Sequence, residues 1–193
     1  MAKKTLTILY ASRVGSAQML MTSKPGEYNE IGKDIRKTFE KIILEYSGKL
    51  VKEVGDDFLI TFESTTNSVL CAMSLQSEFE HWSNENMDLS FRVGINTGEV
   101  EIDEDGDLHG STPNIAIHIG DLCNPGRVFI TTATYHAMNN SEIRAVHIYD
   151  KTFKETPGKI GIYKILHKNE SGLREKVGGK SRIFYLSGAI IVL

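Results

Sequence analysis

The sequence predicts an α+β fold whose first half is a βαββαβ unit, and three observations predict it. Residues 48–63, GKLVKEVGDDFLITFE, read as a β-hairpin. Two strand-forming runs, Leu50 to Val54 and Phe58 to Phe62, flank the turn Gly55-Asp56-Asp57, and Phe58, Ile60 and Phe62 alternate with Leu59, Thr61 and Glu63. The hairpin stands between two stretches whose apolar residues recur at helical spacing. A strand-forming segment precedes the first of these stretches and another follows the second.

In chain order, Thr5 to Ala11 is the first strand, with Leu6 to Tyr10 buried. A Gly-Ser loop follows at Val14, Gly15 and Ser16, then a short helical piece around Gln18 to Met21 that Pro25-Gly26 breaks. Tyr28, Ile31, Ile35, Phe39, Ile42, Ile43 and Tyr46 form the apolar stripe of a helix with Lys and Glu on its other face, and Gly48 ends it. After the hairpin, a helix from about Thr66 to Trp82 packs Val69, Met73, Gln76 and Phe79 along one stripe. Leu89 to Ile95 and Glu99 to Ile102 read as strands joined through Asn96-Thr97-Gly98, and Glu101 to Asp107 as an acidic loop. A third helix runs from near Ser111 to Cys123, ahead of Asn124-Pro125-Gly126. Val128 to Ile130 is a strand, Thr132 to Met138 a short helix, and Ile143 to Tyr149 and Ile160 to Leu166 are late strands. The order is βαββαβ followed by an αβαββ run whose last elements make a C-terminal αββ extension. Strand-helix-hairpin-helix-strand is the ferredoxin-like split arrangement, a sandwich with helices on one face. In it the first strand lies beside the hairpin's first strand, which brings the Gly15 loop and the Asp56 turn to a common edge.

A chain of 193 residues is ample for one core. Residues 1–168 are expected to form the domain and 169–193 a tail. In that tail Gly178-Gly179-Lys180 reads as flexible and Ile183 to Leu193 as strongly apolar, too short to span a bilayer: a last strand, an interface segment or an appended end. The net charge of −3 gives no electrostatic footprint for nucleic acid. No apolar run reaches transmembrane length, and MAKKTLTILYAS lacks the apolar stretch of a signal peptide, so a cytoplasmic protein is expected. Cys71 and Cys123 fall in helical patterns without metal spacing and read as packed thiols in a reducing compartment. The six histidines show no HExxH or paired spacing, which argues against a catalytic zinc.

Asp56 and Asp57 at the hairpin tip are turn formers, or they are hard oxygen ligands for Mg²⁺, which is held by one or two carboxylates plus substrate phosphates. Lys52, four residues earlier, could meet a nucleotide there. The acidic run Asp103-Glu104-Asp105-Gly106-Asp107 is not an EF-hand, because its closing position is Thr112 and not Glu.

Four collinear motifs resemble the class III nucleotide cyclases. TILYASRVGS is similar to their opening strand, F-A-D-I-V-G-S/F-T, and GKLVKEVGDDFLITF to their metal hairpin. FRVGINTGEV resembles their R-x-G-I-x-x-G strand, and DGDLHGSTPNIAIHIGDLCNPGRVFIT their D-x-x-G-x-x-V-N-x-A-x-R helix and the strand after it. The resemblance covers roughly residues 5–166. It implies the cyclase α+β sandwich and a reaction that converts ATP or GTP to the 3′,5′-cyclic nucleotide and pyrophosphate at two metal ions held by two aspartates. The second aspartate maps onto Asp56; the first position is Ser12, a far weaker ligand, so Mg²⁺ or Mn²⁺ binding is expected to be weak. Arg13 stands where the family has an apolar residue. It either takes the place of a cation near Asp56 or is a surface arginine, since alternation turns Ser12 and Arg13 to opposite faces. Lys52 and Asp107 match the adenine-reading set, which favours ATP, and Asn114 matches the ribose-orienting Asn. Where the family has an Arg that stabilises the pentacoordinate phosphate, this chain has His118, without the guanidinium fork. Pro113 falls in the first turn of that helix, where proline is tolerated, and Lys154 corresponds to a triphosphate-gripping Lys in a poorly aligned stretch.

Family members pair head to tail, one protomer giving the aspartates and the other the Lys, Asp, Asn and Arg. A homodimer of this chain would lack an aspartate and the Arg in both sites, and a heterodimer with a complete cyclase domain would rebuild neither. Each such loss costs a factor of about 10²–10³ in rate. Three readings follow: a nucleotide-binding or regulatory cyclase homologue with little or no turnover, an adenylate cyclase using Asp56 with a substitute ligand such as Asp57, and a dimerising interaction module that binds no nucleotide.

Overall fold

The computed structural model describes residues 2–15, 21, 26–84, 89–167, 184–186 and 189–191. The elements are β1 (Ala2–Val14), α1 (Glu27–Glu45), β2 (Lys49–Val54), β3 (Asp57–Phe62), α2 (Thr65–Asn84) and β4 (Ser90–Ile102). They continue as β5 (Leu108–His109), α3 (Ser111–Leu122), β6 (Arg127–Thr131), α4 (Thr132–Ala137), β7 (Ala145–Thr152) and β8 (Lys159–Ile165). The main sheet has the order β2-β3-β1-β4-β6-β8-β7, with β5 on β4. The α+β class and the βαββαβ core are as the sequence predicts.

Three expectations are corrected. The first concerns strand neighbours: β1 pairs with β3, the hairpin's second strand, and not with β2. The crossover through α1 lays β2 parallel to β1 but one strand away, and β3 fills the antiparallel slot between them. The Gly15 end of β1 and the hairpin turn still meet, because Ser12 is paired with Asp57 and the Arg13 N–H donates to the Asp56 carbonyl at 3.1 Å.

The second concerns residues 89–102, read as two strands. Asn96, Thr97 and Gly98 continue a single strand, opposite Ile8, Thr7 and Leu6 of β1. Their turn-forming composition is overridden because the core satisfies it. Asn96 Nδ2 donates to the Thr112 carbonyl at 3.1 Å, and Asn96 Oδ1 accepts from the Thr131 hydroxyl at 2.8 Å. A Cβ at Gly98 would lie 2.7 Å from Thr112 Oγ1.

The third is the layer count. α1 and α2 pack on one face over Leu9, Ala11, Phe58, Ile60, Phe91 and Val93, with Phe39 stacked on Phe58 at 4.0 Å between centroids. α3 covers the opposite face, where Ala116 meets Leu6, Ile8 and Tyr10. The signal was β1 itself: Leu6 to Ala11 holds apolar residues at both parities, the pattern of a strand buried on both sides. α3 sits against backbone. A Cβ at Gly94 would lie 2.1 Å from Gly120 N, and one at Gly120 would lie 2.4 Å from Tyr10 Cδ1.

α1 ends in a Schellman motif, with Ser47 N–H donating to Leu44 O (3.1 Å) and Gly48 N–H to Ile43 O (2.8 Å). The left-handed residue is Ser47 (φ 57), not Gly48. Gly48 is there for space, since a Cβ would lie 2.5 Å from the Phe62 ring. Cys71 and Cys123 are buried free thiols, each pushed up to about 12 by burial. In the apolar tail, β9 (Phe184–Leu186) and β10 (Ala189–Ile191) pair antiparallel as a separate sheet. The helical piece expected around Gln18 to Met21 lies, apart from Met21, outside the described residues, as do all of residues 168–183.

Candidate functional site

Three groups of side chains carry the residues singled out from the sequence. The first is the hairpin tip. The turn between β2 and β3 uses Gly55 at φ 62 and leaves Asp56 and Asp57 at the start of β3. Alternation along β1 turns Arg13 towards α1, and there its guanidinium donates to the Asp56 carboxylate and to the Tyr28 hydroxyl. Its Cζ lies 4.9 Å from the centre of the Tyr28 ring, and the Tyr28 hydroxyl also donates to Asp56 at 3.3 Å. Arg13 is therefore no surface arginine: its side chain is 4% exposed, against 29% for Asp56. Ser12 points the other way, to the α3 face, where it neighbours Tyr10 and Asp57. Burial first, with the Asp57 carboxylate adding to it, pushes the Tyr10 phenol up to about 12.

The second group is built by a β-bulge. β2 pairs Leu50 with Ile60 but Lys52 with Leu59, so one residue, Val51, is skipped. The slip moves Lys52 off the face that Leu50 shares with α1. Lys52 Nζ comes to 3.8 Å from Asp107 Oδ1, with both side chains about half exposed. Asp103 orders the loop that carries Asp107: its Oδ1 accepts from the N–H groups of Asp105 (3.1 Å) and Asp107 (2.9 Å), and Oδ2 lies 2.6 Å from His109 Nε2. His109 first, then these backbone N–H groups, hold the Asp103 carboxyl below its ordinary range.

The third group lies on α3. Asn114 and His118 are exposed one turn apart. The His118 ring stacks on Phe153 (5.8 Å between centroids, 15° between planes), and its Nε2 is 3.4 Å from Glu155 Oε1. Lys154 lies between those two partners in sequence and is exposed.

The structure thus joins Lys52 to Asp107 and brings the Lys154 segment to His118. It sets Ser12 and Asp56 on different faces of the sheet. Sequence reasoning missed Tyr28, read only as the start of a helix stripe, and the bulge at Val51. It also missed the Phe153–Glu155 support of His118, which no local pattern signals.

Residues 1–167 match the family described as the adenylate and guanylate cyclase catalytic domain. The chain belongs to that family. A putative adenylate cyclase 3 of Rhizobium meliloti (strain 1021) is 28% identical over 166 residues, covering 76% of this chain and 28% of that protein. An adenylate cyclase of Streptomyces coelicolor is 26% identical over 133 residues, covering 69% and 34% respectively. The chain therefore spans about a third or less of the length of these relatives. The fold is that of the adenylyl cyclase CyaB from P. aeruginosa, with a TM-score of 0.76 at 19% identity, covering 92% of this chain and 98% of that one. It is also that of the guanylate cyclase domain of RhGC from Catenaria anguillulae, solved with GTP (TM-score 0.77, 15% identity, 86% and 98% covered). Cyclase domains of this family generally act as dimers, bind ATP or GTP, and use Mg²⁺ or Mn²⁺. Among the described residues no helix is long and apolar enough to cross a membrane.

As they stand, the side chains here do not fit a two-metal cyclase site. Ser12 offers only a hydroxyl, and the Asp56 carboxylate is taken by Arg13 and Tyr28. Among the described residues no three His, Cys, Asp or Glu converge as a metal site would need.

Proposed function

We propose that this chain is a catalytically impaired class III cyclase homologue, a nucleotide-binding or regulatory domain of cyclic nucleotide signalling with little or no turnover. The observation that supports this reading best is the Arg13–Asp56 pair. The remaining metal carboxylate is neutralised from within the chain, and the Arg expected at position 118 is a histidine held by Phe153 and Glu155. The Lys52–Asp107 pair retains the adenine-reading set, and exposed Asn114 stands ready for a ribose, so ATP is the nucleotide favoured. The site would form at a head-to-tail interface with a second copy or with another cyclase domain.

A second reading, an adenylate cyclase with an atypical metal site, is favoured by the register of β1 and β3. Asp57 stands directly opposite Ser12 and returns a carboxylate to that neighbourhood. Calorimetric titration of ATP with Mn²⁺, followed by an assay for cyclic AMP, separates the two. Binding without product is the expected result. Steady cyclic AMP production that disappears in Asp56→Ala would establish the second reading in its place. If ATP does not bind at all, the chain is an interaction module.

A further inference from the structure

We infer that Arg13 is a built-in counter-ion standing where relatives hold a divalent cation at Asp56, so that nucleotide binding by this domain does not depend on Mg²⁺ or Mn²⁺. The nucleotide half of this inference rests on the reading above; the cation half rests on the geometry of the tip alone.

Arg13 is not a flexible surface arm that happens to reach a carboxylate. It lies on the central strand β1, and its own N–H is bonded to the Asp56 carbonyl at 3.1 Å, so the backbones of the two residues are fixed to each other. Its guanidinium is gripped by the carboxylate and the Tyr28 hydroxyl and lies against the Tyr28 ring. A guanidinium stays protonated at any working pH. A metal ion that coordinated Asp56 would have to displace it and leave a buried charge without its carboxylate, a state strongly penalised in a protein interior. One carboxylate on that face, with Ser12 and Asp57 turned to the other, offers too little to offset that penalty.

Charge counting around the tip gives the same result. A pocket of about 620 Å³ opens there, and its charged lining residues are Arg13, Lys33, Arg36, Glu30, Glu53 and Asp56. Three cations face three anions, and they are paired: Arg13 with Asp56, Lys33 with Glu30 at 2.7 Å, Arg36 with Glu53 at 2.6 Å. A tip with carboxylates at positions 12 and 56 and an apolar residue at 13 would be anionic, and would repel a polyphosphate until cations arrived. The lining of this pocket is neutral without them, and Asp57 stands outside it, opposite Ser12.

The test uses Mn²⁺ alone, followed by the loss of its free-ion electron paramagnetic resonance signal on titration with protein. The wild type is expected to take up no Mn²⁺ at this site. Arg13→Asp, which removes the guanidinium and sets a second carboxylate on the face of Asp56, is expected to gain a site that the further change Asp56→Ala removes. Two results overturn the inference: Asp56-dependent Mn²⁺ uptake by the wild type, or no uptake by an Arg13→Asp variant that still folds. Should that variant not fold, the wild type decides through ATP affinity in EDTA and in excess Mn²⁺. Agreement within about threefold supports the inference, and a gain of about tenfold or more with Mn²⁺ overturns it. Absence of ATP binding in both buffers overturns the nucleotide-binding reading and leaves the Mn²⁺ titration to decide on Arg13.

Discussion

Two ion pairs of the same chemistry lie along one hairpin and could hardly be more different. Arg13–Asp56 is sunk between β1 and α1 and locked by a tyrosine and by backbone. Lys52–Asp107 is half exposed at 3.8 Å, its two residues placed by a bulge and by the loop that Asp103 orders. The buried pair has closed on itself, and its partners are no longer free to meet a ligand. The open pair keeps two groups that are each about half exposed. A residue type therefore says little about a site until its burial is known: the Asp56 carboxylate is engaged by Arg13 and Tyr28, and Lys52 is half exposed.

The largest expected effect probes what lies under the buried pair. Phe39 stacks on Phe58 and meets the Phe91 ring edge-on, directly beneath the tip, whereas Lys52 and Asp107 stand at the surface. Phe39→Ala should cost about 3–5 kcal/mol in denaturant unfolding. Hydrogen exchange should show the β3 amides at the tip loosening before those of the Asp103–Asp107 loop, and the reverse order would break the contrast. A direct comparison comes next. Asp56→Ala strands a buried guanidinium and should cost about 1–3 kcal/mol, while Asp107→Ala should stay within about 0.5 kcal/mol of wild type. Equal costs would mean that burial does not separate the pairs. The smallest effect concerns Tyr10, which sits between the tip and α3. Its folded pKa is raised to about 12 from an ordinary value of 10.0, so the folded state favours the neutral phenol. That contribution is fully present below pH 10 and is lost as pH rises towards 12. Absorbance titration at the phenolate band should show one tyrosine ionising late, with unfolding stability falling over the same window. Tyr10→Phe should remove both signatures.

Much of the fold was legible because the signals were periodic. The hairpin, the Phe39 and Phe79 stripes and the late strands all have strong spacing. What failed was polar residues in the core: Asn96 and Thr97 read as a turn, and nothing local says that Thr112, Thr131 and Thr7 would satisfy them. The face covered by α3 was written in the unbroken apolar run of β1, which an assumption of one helical layer obscured. Of the site, the resemblance singled out Lys52 and Asp107, and the structure sets them 3.8 Å apart. Arg13 was legible only as one of two alternatives, a stand-in for a cation or a surface arginine, because its burial depends on Tyr28, fifteen residues on and across the fold. His118 was singled out through the resemblance, but its contacts come from Phe153 and Glu155, in a stretch that aligns poorly.

The bulge in β2 has a consequence away from any ligand. β2 and β7 are the two margins of the main sheet, and each carries an irregularity, at Leu50/Lys52 and at His147/Tyr149. The same margins hold Val54, Val146 and Tyr149, three of the largest exposed apolar side chains among the described residues. A straight margin with such residues would invite another chain to zip on as an extra strand. Two local slips in pairing deny a newcomer a continuous ladder, so the sheet can keep greasy borders without polymerising.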